Sequence, residues 1–133
     1  MSAPMHETRI ATRWTDFDAL SHVTHAAYPV YFDEARDDFL SRSVGTFAEW
    51  PSVIAHVSID YRQEIRYPAA EVVVRTSISE IGRTSVSFEQ EVVGPDGELA
   101  AVARSVVVAW DIETRGPRVI GDGERALLSA QPS

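Results

Sequence analysis

Two hydrophobic periodicities divide the chain. From about His25 to Leu40, Tyr28, Tyr31, Phe32, Ala35, Phe39 and Leu40 recur at helical spacing, with Asp33, Glu34, Asp37 and Asp38 on the other side. Thr24 suits the N-cap position. Pro29 lacks the amide that would bond back to His25, so either the first turn is distorted or the regular helix begins near Tyr28. After this helix the period falls to two. Val53, Ala55, Val57, Ile59 and Tyr61 alternate with polar neighbours, as in a strand half buried on one face. Further strands are predicted over Val72 to Ile78, Thr84 to Val93 and Leu99 to Asp111, the last two separated by the turn signal Gly94-Pro95-Asp96-Gly97. His6 to Trp14 reads as an opening strand with Ile10, Thr12 and Trp14 on one side. Beyond Asp111 the chain turns polar, and Asp122 is placed to cap a short helix through Leu127 and Leu128. The prediction is one helix followed by a four-stranded antiparallel meander, with the first strand added at an edge. Such a sheet buries the helix in its concave face, an α+β domain.

Composition narrows the function. A chain of 133 residues makes one domain, 1–133, with 1–5 and 116–133 as terminal extensions. The net charge of −8 disfavours nucleic-acid binding, which depends on neutralising phosphates. There is no lysine for Schiff-base chemistry and no cysteine for disulfides, thiolate catalysis or metal ligation. The expected setting is cytoplasmic: the first residues lack the charged and apolar regions of a signal peptide, and no apolar run is long enough to span a membrane.

The chemistry concentrates in residues 13–36. Asp16 and Asp18 end a strand, His22 and His25 follow in a short loop, and the helix begins. A carboxylate just before a helix N-terminus combines a nucleophile or base with unpaired amide donors. Thioester hydrolysis needs both, because an oxyanion develops as the carbonyl is attacked. Thr24, His25 and Ala26 are where those amides are expected. The same acids also suit turns and caps, and Asp16 reads as structural, bonding loop amides or pairing with Arg13. Asp16, Asp18, His22 and His25 together offer metal ligands, at a spacing that matches no named metal signature. No Gly-x-Ser-x-Gly elbow occurs, which disfavours a serine hydrolase.

The segment RWTDFDALSHVTHAAYPVYFDEAR, residues 13–36, resembles the signature of the hot-dog-fold acyl-CoA thioesterases of the 4-hydroxybenzoyl-CoA thioesterase type: Arg-x-x-Asp-x-Asp, then Gly-His-Val-Asn-Asn, then Tyr and an aromatic, acidic helix ending in Ala-Arg. A weaker likeness runs through HVSIDYRQEIRY (56–67), SEIGRTSVSFEQEV (79–92) and the last long strand. The resemblance implies a helix wrapped by a five-stranded antiparallel sheet and a homodimer or homotetramer with sites at the subunit interface. The substrate would be an acyl-CoA, with neither metal nor cofactor. It implies Asp18 as the catalytic carboxylate, attacking the carbonyl or activating water. Thr24, His25 and Ala26 would supply oxyanion amides, with His22 and Tyr28 lining the substrate pocket. Arg83, with Thr84, matches the position that meets the nucleotide phosphates of CoA. Ser21, Thr24 and His25 stand where the pattern has glycine and two asparagines, and Ala69-Ala70-Glu71 where it often has Gly-Asp. These departures leave open a non-catalytic binding module for acyl-CoA or aromatic ligands. A hydratase or dehydratase would need His22 or His56 as its acid–base group, and no motif supports it.

Overall fold

The computed structural model of the protein describes residues 5–130. Residues 1–4 and 131–133, the outer parts of the two expected extensions, lie outside the described residues. Strand β1 (His6–Ala11) leads through a loop to helix α1 (Tyr28–Ser43), then to β2 (Ser52–Tyr61), β3 (Glu71–Ile81), β4 (Ser85–Val93) and β5 (Leu99–Asp111). A two-residue strand β6 (Gly116–Pro117) and helix α2 (Asp122–Ser129) follow. The sheet is antiparallel with order β1-β3-β4-β5-β2, and β6 pairs with β5. This is the α+β hot-dog arrangement: a curled sheet around one long helix.

One expectation is corrected. β2 is not the first strand of a meander; it pairs with β5 at the far edge. Short turns force β3, β4 and β5 to pair in sequence. The longer connection 62–70 lets the chain cross from the free edge of β5 back to β3. Periodicity says nothing of the partner of β2, and the one-sided burial it predicts is not met in this chain: the strand is exposed along nearly its whole length, with a register shift between Ile54 and His56. β1 also stops short of Trp14, which lies exposed in a short 3-10 turn, Trp14–Asp16.

The helix start is irregular, as Pro29 requires. A 3-10 turn, His25–Ala27, precedes α1, and Pro29 occupies its first turn, where the missing amide removes a donor that would be unpaired anyway. Tyr31, Phe32, Ala35 and Phe39 are buried against the alternate residues of β3, β4 and β5, among them Val74, Val92, Phe88 and Val107. A polar layer divides this core. Arg36, only 5% exposed, donates to Gln90 Oε1 (3.1 Å) and Ser105 Oγ (3.4 Å). Gln90 Nε2 in turn donates to Phe32 O (3.0 Å) and Thr76 Oγ1 (3.1 Å).

The stretch after Asp111 packs on the domain. Leu128 of α2 and Ile120 are buried beside Phe39. Asp122 opens α2 but does not cap it; Gly121 holds that position, and its amide donates to Glu124 Oε1 (2.8 Å). The Arg118 guanidinium, with the Gly121 amide and Trp50 Nε1, holds the Glu124 carboxyl at about 2 against partial burial. Asp38 ties α1 to β1. Partial burial would raise its carboxyl, but hydrogen bonds from Thr8 (2.6 Å), His6 (2.7 Å) and Arg42 (2.9 Å) outweigh it and hold the group at about 2.

Both carboxyls lie below their ordinary values, so the folded chain binds protons there less readily than the unfolded one. Their stabilisation is complete above the ordinary values of 3.8 and 4.5 and is lost as pH falls toward 2. Urea midpoints measured from pH 6 down to pH 2.5 are expected to fall less steeply in the Asp38→Asn, Glu124→Gln double variant than in the natural chain. Parallel profiles would contradict these assignments.

Candidate active site

The loop before α1 is built by pairing. Phe17 bridges Val23, with Asp18 N donating to His22 O (3.1 Å) and Thr24 N to Asp16 O (2.8 Å). Ser21 N closes the turn on Asp18 O (3.0 Å). Ser21 carries φ 59°, the left-handed region that glycine occupies without cost. A serine here is therefore under strain. Ser21→Gly is expected to raise unfolding stability by about 0.5–1 kcal/mol, the left-handed penalty less the glycine entropy cost. Equilibrium urea unfolding reads this, and a loss of stability would contradict it.

The two acids part company. Asp16 is buried, its Oδ2 accepting from Tyr31 OH (2.7 Å) and Arg13 N (2.9 Å), with Arg13 Nε 3.6 Å from its Oδ1. Burial and this bond together push the Tyr31 hydroxyl well above its ordinary range. Asp18 instead borders a cleft of about 490 Å³ together with His22, His25, Tyr28 and Tyr61. Its side chain is 34% exposed; Oδ1 accepts from Leu20 N (2.9 Å), and Oδ2 lies 3.3 Å from His22 Nε2. Asp16 thus stands apart from Asp18, His22 and His25, and among the described residues no group of three such side chains is placed to hold a metal ion.

Of the three expected amides, two remain available. Thr24 is a correction: its amide is consumed by Asp16 O, and its hydroxyl makes no cap bond. The amides of His25 and Ala26 precede the first intrahelical bond, which runs from Ala27 N to Thr24 O (3.0 Å). Tyr28 is buried yet lines the cleft. Burial, with Tyr61 beside it, pushes its hydroxyl up to about 12, so it stands as a neutral donor. Tyr61 completes an aromatic wall, its ring 5.2 Å from Tyr28 and its hydroxyl donating to His25 O (3.2 Å).

Within one chain, Arg83 and Thr84 lie away from this cleft. They sit in the β3–β4 turn, whereas the loop carrying Asp18 leaves β1 beside the opposite end of β3. The two ends of β3 lie roughly 30 Å apart. His56 pairs with Val106 in mid-β2, away from the cleft, which removes it as an acid–base partner for Asp18. Glu64 and Tyr61 are not among the expected site residues. Tyr61 carries a faint signal, falling on the alternation that predicts β2; Glu64 lies in an aperiodic connection and carries none.

The chain belongs to the Thioesterase-like superfamily, whose family model matches residues 12–131. Its fold is shared by a predicted thioesterase from Bacillus stearothermophilus, 30% identical over 97% of this chain and 99% of that one, with a TM-score of 0.85. A thioesterase from Thermus thermophilus, complexed with coenzyme A and Zn, is 27% identical, covering 96% of this chain and 98% of that one, at a TM-score of 0.84. The DHNA-CoA thioesterase of Staphylococcus aureus shares the fold at 23% identity and a TM-score of 0.79, covering 87% of this chain and 80% of that one. No curated protein matches the chain. No helix among the described residues is long and apolar enough to cross a membrane.

Proposed function

We propose that this protein hydrolyses an acyl-CoA thioester to the free acid and CoA, with Asp18 as the catalytic carboxylate. The observation that supports the reading is an aromatic-walled cleft bordered by both Asp18 and His25, at a helix entry where the His25 and Ala26 amides precede the first intrahelical bond. Asp18 either attacks the carbonyl carbon, forming a mixed anhydride and expelling the CoA thiolate, or takes the proton of an attacking water. In both routes the carbonyl oxygen gains charge, and the helix-entry amides meet it. The relative complexed with coenzyme A supports the choice of thioester.

The same proposal makes the protein a homodimer paired through β2. This edge strand is long and exposes Val53, Ile54, Val57 and Tyr61, a liability unless another strand covers it. β2 starts at Ser52, at the sheet end that holds the 82–84 turn, and ends at Tyr61, by the cleft. Antiparallel pairing with a copy of itself therefore sets the partner's turn beside this cleft. Arg83 of the partner subunit then faces the nucleotide phosphates of a CoA whose acyl end lies at Asp18, a job suited to a guanidinium. Back-to-back packing of two such dimers would give a tetramer with the same sites.

Thiol release from short, long and aromatic acyl-CoAs tests the activity, and turnover of none of them would contradict it. Light scattering after size exclusion tests the assembly. A dimer or tetramer is expected, and Val57→Lys is expected to shift it toward monomer with loss of activity. A stable, active monomer would contradict the shared site.

A further inference from the structure

The pairing that fixes the Asp18 loop also fixes a second carboxylate. Val23 N donates to Ile65 O (2.9 Å) and Tyr67 N to Ser21 O (2.9 Å), so His22 is pinned opposite Arg66. This register sets Glu64 at the cleft rim, with its Oε1 3.2 Å from His22 Nδ1. The other ring nitrogen, Nε2, is 3.3 Å from Asp18 Oδ2. The result is a chain of carboxylate, imidazole and carboxylate across the cleft wall, with Asp18 Oδ1 held independently by Leu20 N. Each ring nitrogen faces a carboxylate oxygen, and an ionised carboxylate only accepts.

From this geometry we infer that Glu64 is a positioning residue, acting through His22 to fix the orientation of the Asp18 carboxylate toward the substrate. The inference rests on the thioesterase reading of the cleft. With a hydrogen on each ring nitrogen, Nδ1 donates to Glu64, which stops the ring from turning, and Nε2 donates to Asp18 Oδ2. With Leu20 N on one oxygen and His22 on the other, rotation of the Asp18 carboxylate breaks both contacts. Each oxygen keeps a lone pair for the reacting carbonyl or water. No covalent step runs through Glu64 or His22.

The test is a double-substitution cycle with a spectroscopic arm. Glu64→Ala is expected to lower kcat about tenfold with KM little changed, as loss of an orienting partner does elsewhere. Glu64→Gln, which keeps an acceptor oxygen, is expected to recover most of that rate. The Glu64→Ala, His22→Ala pair is expected to match His22→Ala alone, because Glu64 acts only through the ring. Additive losses, a change in KM alone, or an unchanged kcat in Glu64→Ala would overturn the proposal. Unchanged urea midpoints separate these effects from misfolding.

Long-range proton–nitrogen spectra of histidine-labelled protein give a readout that needs no turnover, with His22 assigned from His22→Gln. Hydrogens on both Nδ1 and Nε2 in the natural chain, with the one on Nδ1 lost in Glu64→Ala, support the arrangement. An Nδ1 without hydrogen in the natural chain overturns it. Absence of thiol release in the unsubstituted protein would instead sink the thioesterase reading, and the ring spectra would then decide the Glu64–His22 contact alone.

Discussion

Replacing Asp18 with asparagine is expected to lower thiol release from an acyl-CoA by about a thousandfold and to leave the fold unchanged. A positioned acid–base group contributes about 10²–10⁴ in rate, and a nucleophile that vanishes costs at least as much. Asparagine keeps the size of the side chain and an oxygen for Leu20 N. It removes the charge, and so either the attacking oxygen or the proton acceptor. The His25 and Ala26 amides and the aromatic wall stay in place, so KM for the ester is expected to change little. Asp16→Asn makes the contrast. Asp16 is buried under Tyr31 and Arg13, away from the cleft, so its loss is expected to act on stability before it acts on chemistry. Equal rates in the natural chain and in Asp18→Asn would remove Asp18 from the mechanism.

The second large effect concerns the core. Arg36→Ala is expected to destabilise the protein by about 3 kcal/mol, from lost packing of the aliphatic stem and from orphaned polar groups at Gln90 and Ser105. In a chain of this length that corresponds to a fall in Tm of roughly 10 °C. Arg36 is 5% exposed, and its Asp33 partner is 65% exposed, so the cost arises inside the core and not at the surface ion pair. Burial lowers the Arg36 pKa from its ordinary value, with Asp33 opposing. Arg36→Met restores the stem but leaves the Gln90 oxygen unpaired. Adding Gln90→Leu is expected to bring no recovery, because it also strips Phe32 O and buried Thr76 Oγ1 of their Gln90 Nε2 donor while Ser105 Oγ stays unpaired. Thermal unfolding followed by circular dichroism decides this; a fall of under 2 °C for Arg36→Ala would contradict the polar layer's structural role.

Local pattern carries the elements well. The 3.6-residue spacing of Tyr28, Tyr31, Phe32, Ala35 and Phe39 marks α1, and alternation marks β3 to β5, because burial on one face imposes those periods. Long-range pairing is not legible in the same way. Nothing in the sequence of β2 states that its neighbour is β5, and that single fact makes β2 an edge of the sheet. The site shows the same division. The motif around Asp18 is contiguous, so its acid and helix-entry amides can be read together. Thr24 departs from expectation because its amide answers to Asp16 O, a bond created by the Phe17–Val23 bridge. Arg83 is kept from the cleft within one chain by the whole length of β3, a separation that no local motif encodes. Glu64 reaches His22 only through the pairing of 21–23 with 65–67, an association of segments far apart in sequence.

The proposed chemistry requires that an acid and two amides meet a thioester carbonyl at one point. A crystal structure of the Asp18→Asn protein with an acyl-CoA bound would observe that meeting itself. The expected complex has the carbonyl oxygen about 3 Å from the His25 and Ala26 amides, and the carbonyl carbon within about 3.5 Å of the side chain at position 18 or of a water held by it. A thioester bound elsewhere, or bound there with its carbonyl turned away from both amides, would contradict the mechanism.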